Sequence, residues 1–396
     1  EGDVTGIVFY EGELFSPNIS GKLELNNASL SIPYINTKYS FEDKHIVSLS
    51  DEYFNFENVT FYDSLEKTYG TISGNIGHKD FKNWSLALEI NSNRILAVNR
   101  PNLKKYLFYG KGFLNGKINI LGPTKNLKID VNGSTALGTS LTIPWQDSKG
   151  LLDTSFIDFI SKGKESSIKK SDELLVNQKS LRGLEITFNL DINNNAELEI
   201  VVDKVSGSTL KGRGVGDILM ETNSNGKFDI WGEFISNEGI YNFKNLGLID
   251  KKFKLSPGGS IIWEGNPIEA KMNLEAIYEV PGGANPAILV DNPNFNKKIP
   301  TNVSIKLQGN LLKPDDPDFQ INFPNTSGTV VSEINYRLAD KQRRQLQAIS
   351  LLSQGIFISE VSISPQGIAN NLYEKASEVI SALMGDNKGK MNVGLK

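Results

Sequence analysis

The residue types able to do chemistry are few in this chain, and their spacing does not gather them. There are two histidines, His45 and His78, and no cysteine. A metal centre needs several such ligands at sensible spacing, and a catalytic triad needs a base beside a nucleophile. Neither histidine has such a partner in sequence, so each is expected to lie at the surface. The absence of cysteine removes thiol catalysis, disulfides and Cys-type zinc sites. It fits the cytoplasm, or a periplasmic protein that does without disulfides.

Two loops imitate the start of a calcium loop: Asp191-x-Asn193-x-Asn195 and Glu221-x-Asn223-x-Asn225-Gly226. That motif closes its oxygen cage with a bidentate Glu at position twelve. Val202 and Gly232 stand there instead, so both loops read as hairpin turns. Gly212-x-Gly214 and Gly110-x-Gly112 imitate phosphate loops. The third glycine is replaced by Asp217 in one and Asn115 in the other, and neither opens a helix that could meet a phosphate. Carboxylate pairs such as Asp315-Asp316 and Glu264/Glu269 fall among wet-face positions. No nucleophile, base and orienter occur together, so neither an enzyme nor a cofactor or metal is expected. One basic cluster stands out: Arg337, Lys341, Arg343 and Arg344. Three of these begin a helix, where they oppose its dipole. A solvated helix face explains them, or contact with an anionic headgroup or acidic partner.

The elements carrying these residues are mostly strands. Trp84, Leu86, Leu88 and Ile90 alternate with polar neighbours, as do Leu184, Ile186, Phe188, Leu190 and Ile192. Ala270 to Val280, Val303 to Leu307 and Phe319 to Phe323 repeat the pattern. Period-two alternation means a strand with one apolar and one wet face. A helix-covered parallel sheet would show continuous apolar runs. The expected fold is therefore all-β: a one-sided, mostly antiparallel or solenoidal sheet. Asn225-Gly226 and Asn132-Gly133 are hairpin candidates. About twenty strand candidates in single file would reach roughly 90 Å, which favours an elongated sheet.

Helices are expected near the end. Asp340 caps one running through Leu346, Ile349 and Leu352 to Gly355. Ser364-Pro365 begins a second, amphipathic one over about 365–384, roughly 27 Å long. Residues 161–180 read as a polar mobile loop and 281–300 as another loop. The expected organisation is a repetitive β segment over 1–160, the polar loop, a second β segment over 181–329, and helical segments over 330–396 with a further strand at 391–395. The 396 residues carry a net charge of −4, which lacks the basic footprint of nucleic-acid binding. No run of about 18 apolar residues suggests a membrane helix. Glu1 and Lys396 are expected to be boundaries inside a longer protein.

The apolar faces need covering, and few helices are available to roof so many strands. The sheet must fold on itself. Its walls either mesh as a dry core or stand apart and hold apolar chains.

Several blocks, in order, resemble the C-terminal domain of the TamB family. They are Gly239-Ile240-Tyr241-Asn242-Phe243, Lys252-Phe253, the run from Gly258 through Trp263 to Ala270, and Leu307-Gln308-Gly309-Asn310-Leu311 with Pro314. Phe319-Gln320-Ile321-Asn322-Phe323-Pro324, Arg344-Gln345 and Leu351-Leu352 follow. The resemblance spans about 210–396; residues 1–160 share only the style of glycine-bounded strands. Asp315-Asp316-Pro317 makes a longer link than the family usually has.

The resemblance implies a β-taco with an apolar groove, belonging to a periplasmic protein anchored in the inner membrane by an N-terminal helix outside this chain. It implies phospholipids as cargo, an Omp85-family outer-membrane barrel such as TamA as partner, and no catalytic residue. A 16-carbon chain costs roughly 13 kcal/mol to expose to water, about a billionfold, so crossing needs a shield. The expected groove lining is Phe228, Ile230, Met272, Leu274, Tyr278, Val303, Ile305, Leu307, Phe319, Ile321 and Phe323. The alternative role is assembly of outer-membrane proteins, with a strand pairing to the barrel by β-augmentation.

Overall fold

A computed structural model describes residues 2–359, apart from 14–15, 33–34, 43, 80, 103–107, 144–182, 204–206, 226, 246–248, 291–294, 312 and 315–317. The expected polar loop 161–180, amphipathic helix 365–384 and strand 391–395 lie outside the described residues. The fold is all-β: twenty-one strands and a few short helices are described. The chain divides into two units, one of residues 1–197, 216–233 and 263–267, the other of residues 198–215, 234–262 and 268–396.

The first unit contains β1 (Asp3–Glu13), β2 (Ser16–Asn26), β3 (Ser29–Ile32), β4 (Thr37–Phe41), β5 (His45–Leu49) and β6 (Tyr53–Asp63). β7 (Tyr69–Lys79), β8 (Lys82–Arg100), β9 (Tyr109–Pro123), β10 (Leu127–Thr135), β11 (Ser140–Ile143) and β12 (Leu184–Ile192) follow. β1–β2–β5–β6–β7–β8–β9–β10 is an antiparallel series. β10 then pairs in parallel with β12, and β12 pairs antiparallel with the end of β14 (Ser208–Asn223). The parallel step breaks the hairpin rule that adjacent strands follow each other in sequence.

Asn132-Gly133 is not a hairpin. It lies inside β10, where Gly133 pairs with Gly116 of β9. A Cβ at Gly133 would come within 2.3 Å of the Asn115 carbonyl oxygen, so glycine here serves close backbone approach rather than a turn. The turn at Asn223–Lys227 forms as expected: the Asn223 N–H donates to Lys227 O at 3.1 Å. The Asn223 side chain accepts from the Asn225 and Lys227 N–H groups, so its oxygen is used by its own turn.

Several long strands of this unit are bent part-way. Register shifts occur at Phe56/Val59 in β6 and at Ser92/Ile95 in β8. Between them Gly74 of β7 sits at φ +113°, and a Cβ there would lie 2.1 Å from Ala87 O. Gly116 of β9 pairs with Ser92 at the edge of the second shift and with Gly133 of β10. Bulges and in-strand glycines both bend a sheet, and here each of five adjacent strands carries one.

The second unit contains β13 (Glu197–Asp203), the inner halves of β14 and β15 (Phe228–Asn245), β16 (Ile249–Leu255), and most of its remaining strands as antiparallel pairs. β16 and β17 (Ser260–Gly265) pair with β18 (Lys271–Glu279), which pairs with β19 (Asn302–Asn310). β19 pairs in turn with β20 (Lys313–Pro314) and β21 (Asp318–Asn322). The 281–300 stretch is less irregular than expected, since it holds a single helical turn, Ala287–Val290.

The Asp340 cap works as the sequence implied. Its carboxylate accepts the Arg343 N–H at 2.8 Å, the helix spans Lys341–Gln354, and Gly355 ends it at φ +73°. A second helix, Thr329–Arg337, opens the stretch expected to be helical, though no cap marked it. Its first residues, Thr329-Val330-Val331, are β-branched and disguise it.

Candidate functional site

Following registers across the first unit turns its alternating strands into rows. One row runs Val59–Ile72–Ile90–Ile118–Val131–Phe188–Met220, through β6, β7, β8, β9, β10, β12 and β14. A second runs Leu23–Val47–Phe56–Gly74–Leu88–Ile120–Ile129–Ile186. A third, shorter row is Leu49–Phe54–Ile76–Leu86. Together they form an apolar ribbon lying across the strands without a charged position. Val59 and Val131 are buried, while Ile72, Ile90, Ile118, Ile120, Ile129, Phe188 and Met220 are half-buried. The other face is wet: Glu89 pairs with Lys117 at 2.9 Å, and Lys128 with Glu185 at 3.8 Å.

The ribbon is held by a core of Tyr39, Phe61, Ile95, Leu114 and Val131. Tyr39 donates to Leu96 O at 2.8 Å and meets the Phe61 ring edge-on at 5.3 Å. Burial, with the nearby Asp63 carboxylate, pushes the Tyr39 phenol up to about 12, so it stays a neutral donor. Asp63 is itself buried and caps the turn after β6. It accepts from the Thr68 hydroxyl and from the N–H groups of Glu66 at 2.5 Å, Thr68 at 2.7 Å and Leu65 at 3.1 Å. Burial works to raise this carboxyl, but the hydrogen bonds outweigh it and hold it below its ordinary value. The Thr68 oxygen accepts the Leu96 N–H in turn, so the turn is tied to β8. These groups build the wall; nothing in their geometry suggests a reaction.

The two histidines differ from expectation. His45 is half-buried, while His78 is only 6% exposed. The expected surface position for His78 fails because its strand parity puts it on the apolar face, among Phe54, Phe81 and Trp84. Among the described residues no group of acidic or metal-ligating side chains could hold a metal ion.

Of the expected lining residues, Phe228 and Ile230 belong to the first unit, Phe228 half-buried and Ile230 buried. The other nine share one face of the second unit: Leu274 opposes Leu307, Tyr278 opposes Val303, which opposes Ile321, and Ile305 opposes Phe319. Met272, Phe323 and six of these are at most 8% exposed, and Tyr278 is half-buried. Phe319 and Tyr278 join an aromatic cluster with Phe243, Phe253 and Tyr241. The helix Lys341–Gln354 lies against β21, with Leu346, Ile349, Leu351 and Leu352 buried. Beside Leu274, the gap ringed by Ile200, Phe234, Leu255 and Ile261 holds only about 10 Å³, room for one water and not for an acyl chain. The second unit's face is filled by its own side chains, with Phe243 against Phe319 and Phe253 against Tyr278.

The basic cluster is largely committed. Arg344 donates to Phe319 O at 2.8 Å, to Leu338 O and Ala339 O, and to the Asp318 carboxylate at 3.1 Å. It brackets the helix to β21. Arg337 pairs with Glu333 at 3.2 Å, Arg343 reaches Arg337 O, and Lys341 is exposed.

The family model of the TamB C-terminal domain matches residues 57–394, from β6 to near the end of the sequence and through the whole row from Val59 to Met220. The chain belongs to the TamB family. The match reaches some 150 residues further toward the N-terminus than the sequence blocks had suggested and takes in that row as well as the second unit. No curated protein matches the chain. TamB proteins are periplasmic, membrane-associated components of the translocation and assembly module, are associated with the outer-membrane partner TamA, and are not known as enzymes. No helix among the described residues is long and apolar enough to cross a membrane.

The ribbon residues of β6 to β10 were missed as site candidates. The 84–90 alternation carried a signal for them, but only register shows that it continues unbroken into neighbouring strands.

Proposed function

We propose that this chain is a non-catalytic conduit that shields phospholipid acyl chains as they pass between the inner and outer membranes. The observation that carries this reading is the unbroken register of the row from Val59 to Met220. A chain lying along it meets methyl and methylene groups at every strand and no strong polar trap. About 0.8 kcal/mol per shielded methylene then offsets the cost of leaving the membrane, without a deep minimum at any one place. Phe228 and Ile230 join this lining. Lipid contact by the nine residues of the second unit requires their packing against Phe243 and Phe253 to open, and headgroup contact falls to Lys341 before its bracketed neighbours.

The protein is placed in the periplasm, held to the inner membrane by a helix outside this chain and working with an Omp85-family barrel. The strand-pairing alternative was located at 391–395, outside the described residues. Native mass spectrometry of the purified chain tests the conduit. Bound diacyl phospholipid is expected, and a protein that stays empty after incubation with phospholipid micelles overturns it.

A further inference from the structure

We propose that His78 is the polar end-stop of the ribbon: a neutral imidazole N–H that takes an ester carbonyl oxygen of the bound diacyl lipid. This rests on the conduit reading above and gives it a site. His78 follows Ile76 on the same face of β7, and Ile76 opposes Phe54 and Leu86, so the third row runs into this ring. The imidazole lies parallel to the Phe81 ring, 4.3 Å between centroids and 17° between planes. Phe54 at 5.4 Å and Trp84 at 5.2 Å meet it tilted.

The proton's place follows from the hydrogen bonds. Nδ1 accepts the Phe81 N–H at 3.3 Å, so a neutral ring carries its hydrogen on Nε2. Among the described residues Nε2 is buried with no hydrogen-bond partner. A buried donor calls for an acceptor, and aromatic walls reject an ionised one that brings no countercharge. An ester carbonyl fits both demands: it is a neutral acceptor, and its acyl chain continues along the apolar row. Phe81 covers the box from the tip of the β7–β8 hairpin, half of it exposed, at φ +53°. It is the ring placed to swing aside. Lys79 and Lys82 pair across the same tip with exposed side chains, where the phosphate of that lipid would emerge; Asp80 lies between them in sequence.

The test compares dioleoyl phosphatidylglycerol with its dioleyl ether analogue, which lacks both carbonyls. Each is offered to the full chain at equal concentration in detergent micelles, and occupancy is read by native mass spectrometry. The wild type should favour the ester lipid by about fivefold, the yield of one neutral hydrogen bond. His78→Phe should bring the ratio to about one while still binding both. Equal binding of ester and ether lipids by the wild type overturns this proposal alone, and means that an aromatic face already takes the N–H. A ratio unchanged in His78→Phe also overturns it. Failure to bind either lipid overturns the conduit reading with it. The wild-type ratio needs no variant to fold.

Discussion

Ile118 sits at the middle of the longest row, between Ile90 and Val131, and is half-buried. Replacing it with Asp puts a carboxylate where a chain must pass. About three methylenes lose their apolar contact, worth roughly 2.4 kcal/mol at 0.8 kcal/mol each. Pressing hydrocarbon over the charge adds at least about 1 kcal/mol of desolvation, even with water reaching one side. The sum, over 3 kcal/mol, corresponds to a loss of lipid occupancy of at least about a hundredfold. The fold should survive, because a half-buried substitution costs about 1–3 kcal/mol. Asn132→Asp is the control: it adds the same charge on the wet face, opposite Lys117. Phospholipid copurifying with each protein is quantified by native mass spectrometry, and a thermal melt confirms folding. If folded Ile118→Asp carries phospholipid at the wild-type level, the ribbon is not the path. If Asn132→Asp loses lipid equally, charge rather than the apolar row is responsible.

Asp63→Ala removes four hydrogen bonds from a buried turn and should lower stability by about 2–4 kcal/mol in urea titrations. Because the Asp63 carboxyl is held below its ordinary value when folded, its contribution is present above about pH 4 and lost as pH falls through the folded value. Melting temperatures should therefore drop more steeply below pH 4 in the wild type than in Asp63→Ala; parallel curves refute the cap. Gly74→Ala should destabilise by about 2 kcal/mol or more, since the new Cβ meets Ala87 O at 2.1 Å on a backbone at φ +113°; an unchanged urea midpoint refutes the bend. Arg344→Met should loosen the helix from β21, seen as faster amide exchange across 341–354 with the ribbon strands unaffected; unchanged exchange there refutes the bracket.

The fold class was legible because alternation is local. Leu184 to Ile192 reads as a strand from its own residues, and Asp340 with Gly355 reads as a helix from its own caps. Register is not local. That β10 skips to a parallel partner in β12 depends on the path of the intervening chain, which no window of residues contains. Asn132-Gly133 was misleading for the same reason: the pair has the chemistry of a turn, but the glycine answers to Gly116 on the next strand. His78 shows the limit for sites. A lone histidine carries no motif, and only strand parity with Ile76 reveals that it faces inward. The expected lining residues of the second unit alternate locally and so share one apolar face. Whether that face is open depends on what packs across it, and Phe243 and Phe253 lie in strands whose own sequence does not say what they face.

The bulges and in-strand glycines of β6 to β10 have a consequence for how such a protein diversifies. Its bend is written in backbone positions, at residues 57–58, 74, 92–95, 116 and 133, and the row side chains around them do not set it. Aliphatic residues in the rows can be exchanged for one another without moving the bulges. Moving one bulge by two residues would do the reverse, shifting the bend and turning the residues between its old and new positions to the other face. Row chemistry can therefore change without the bend, whereas the bend cannot change without turning row residues over.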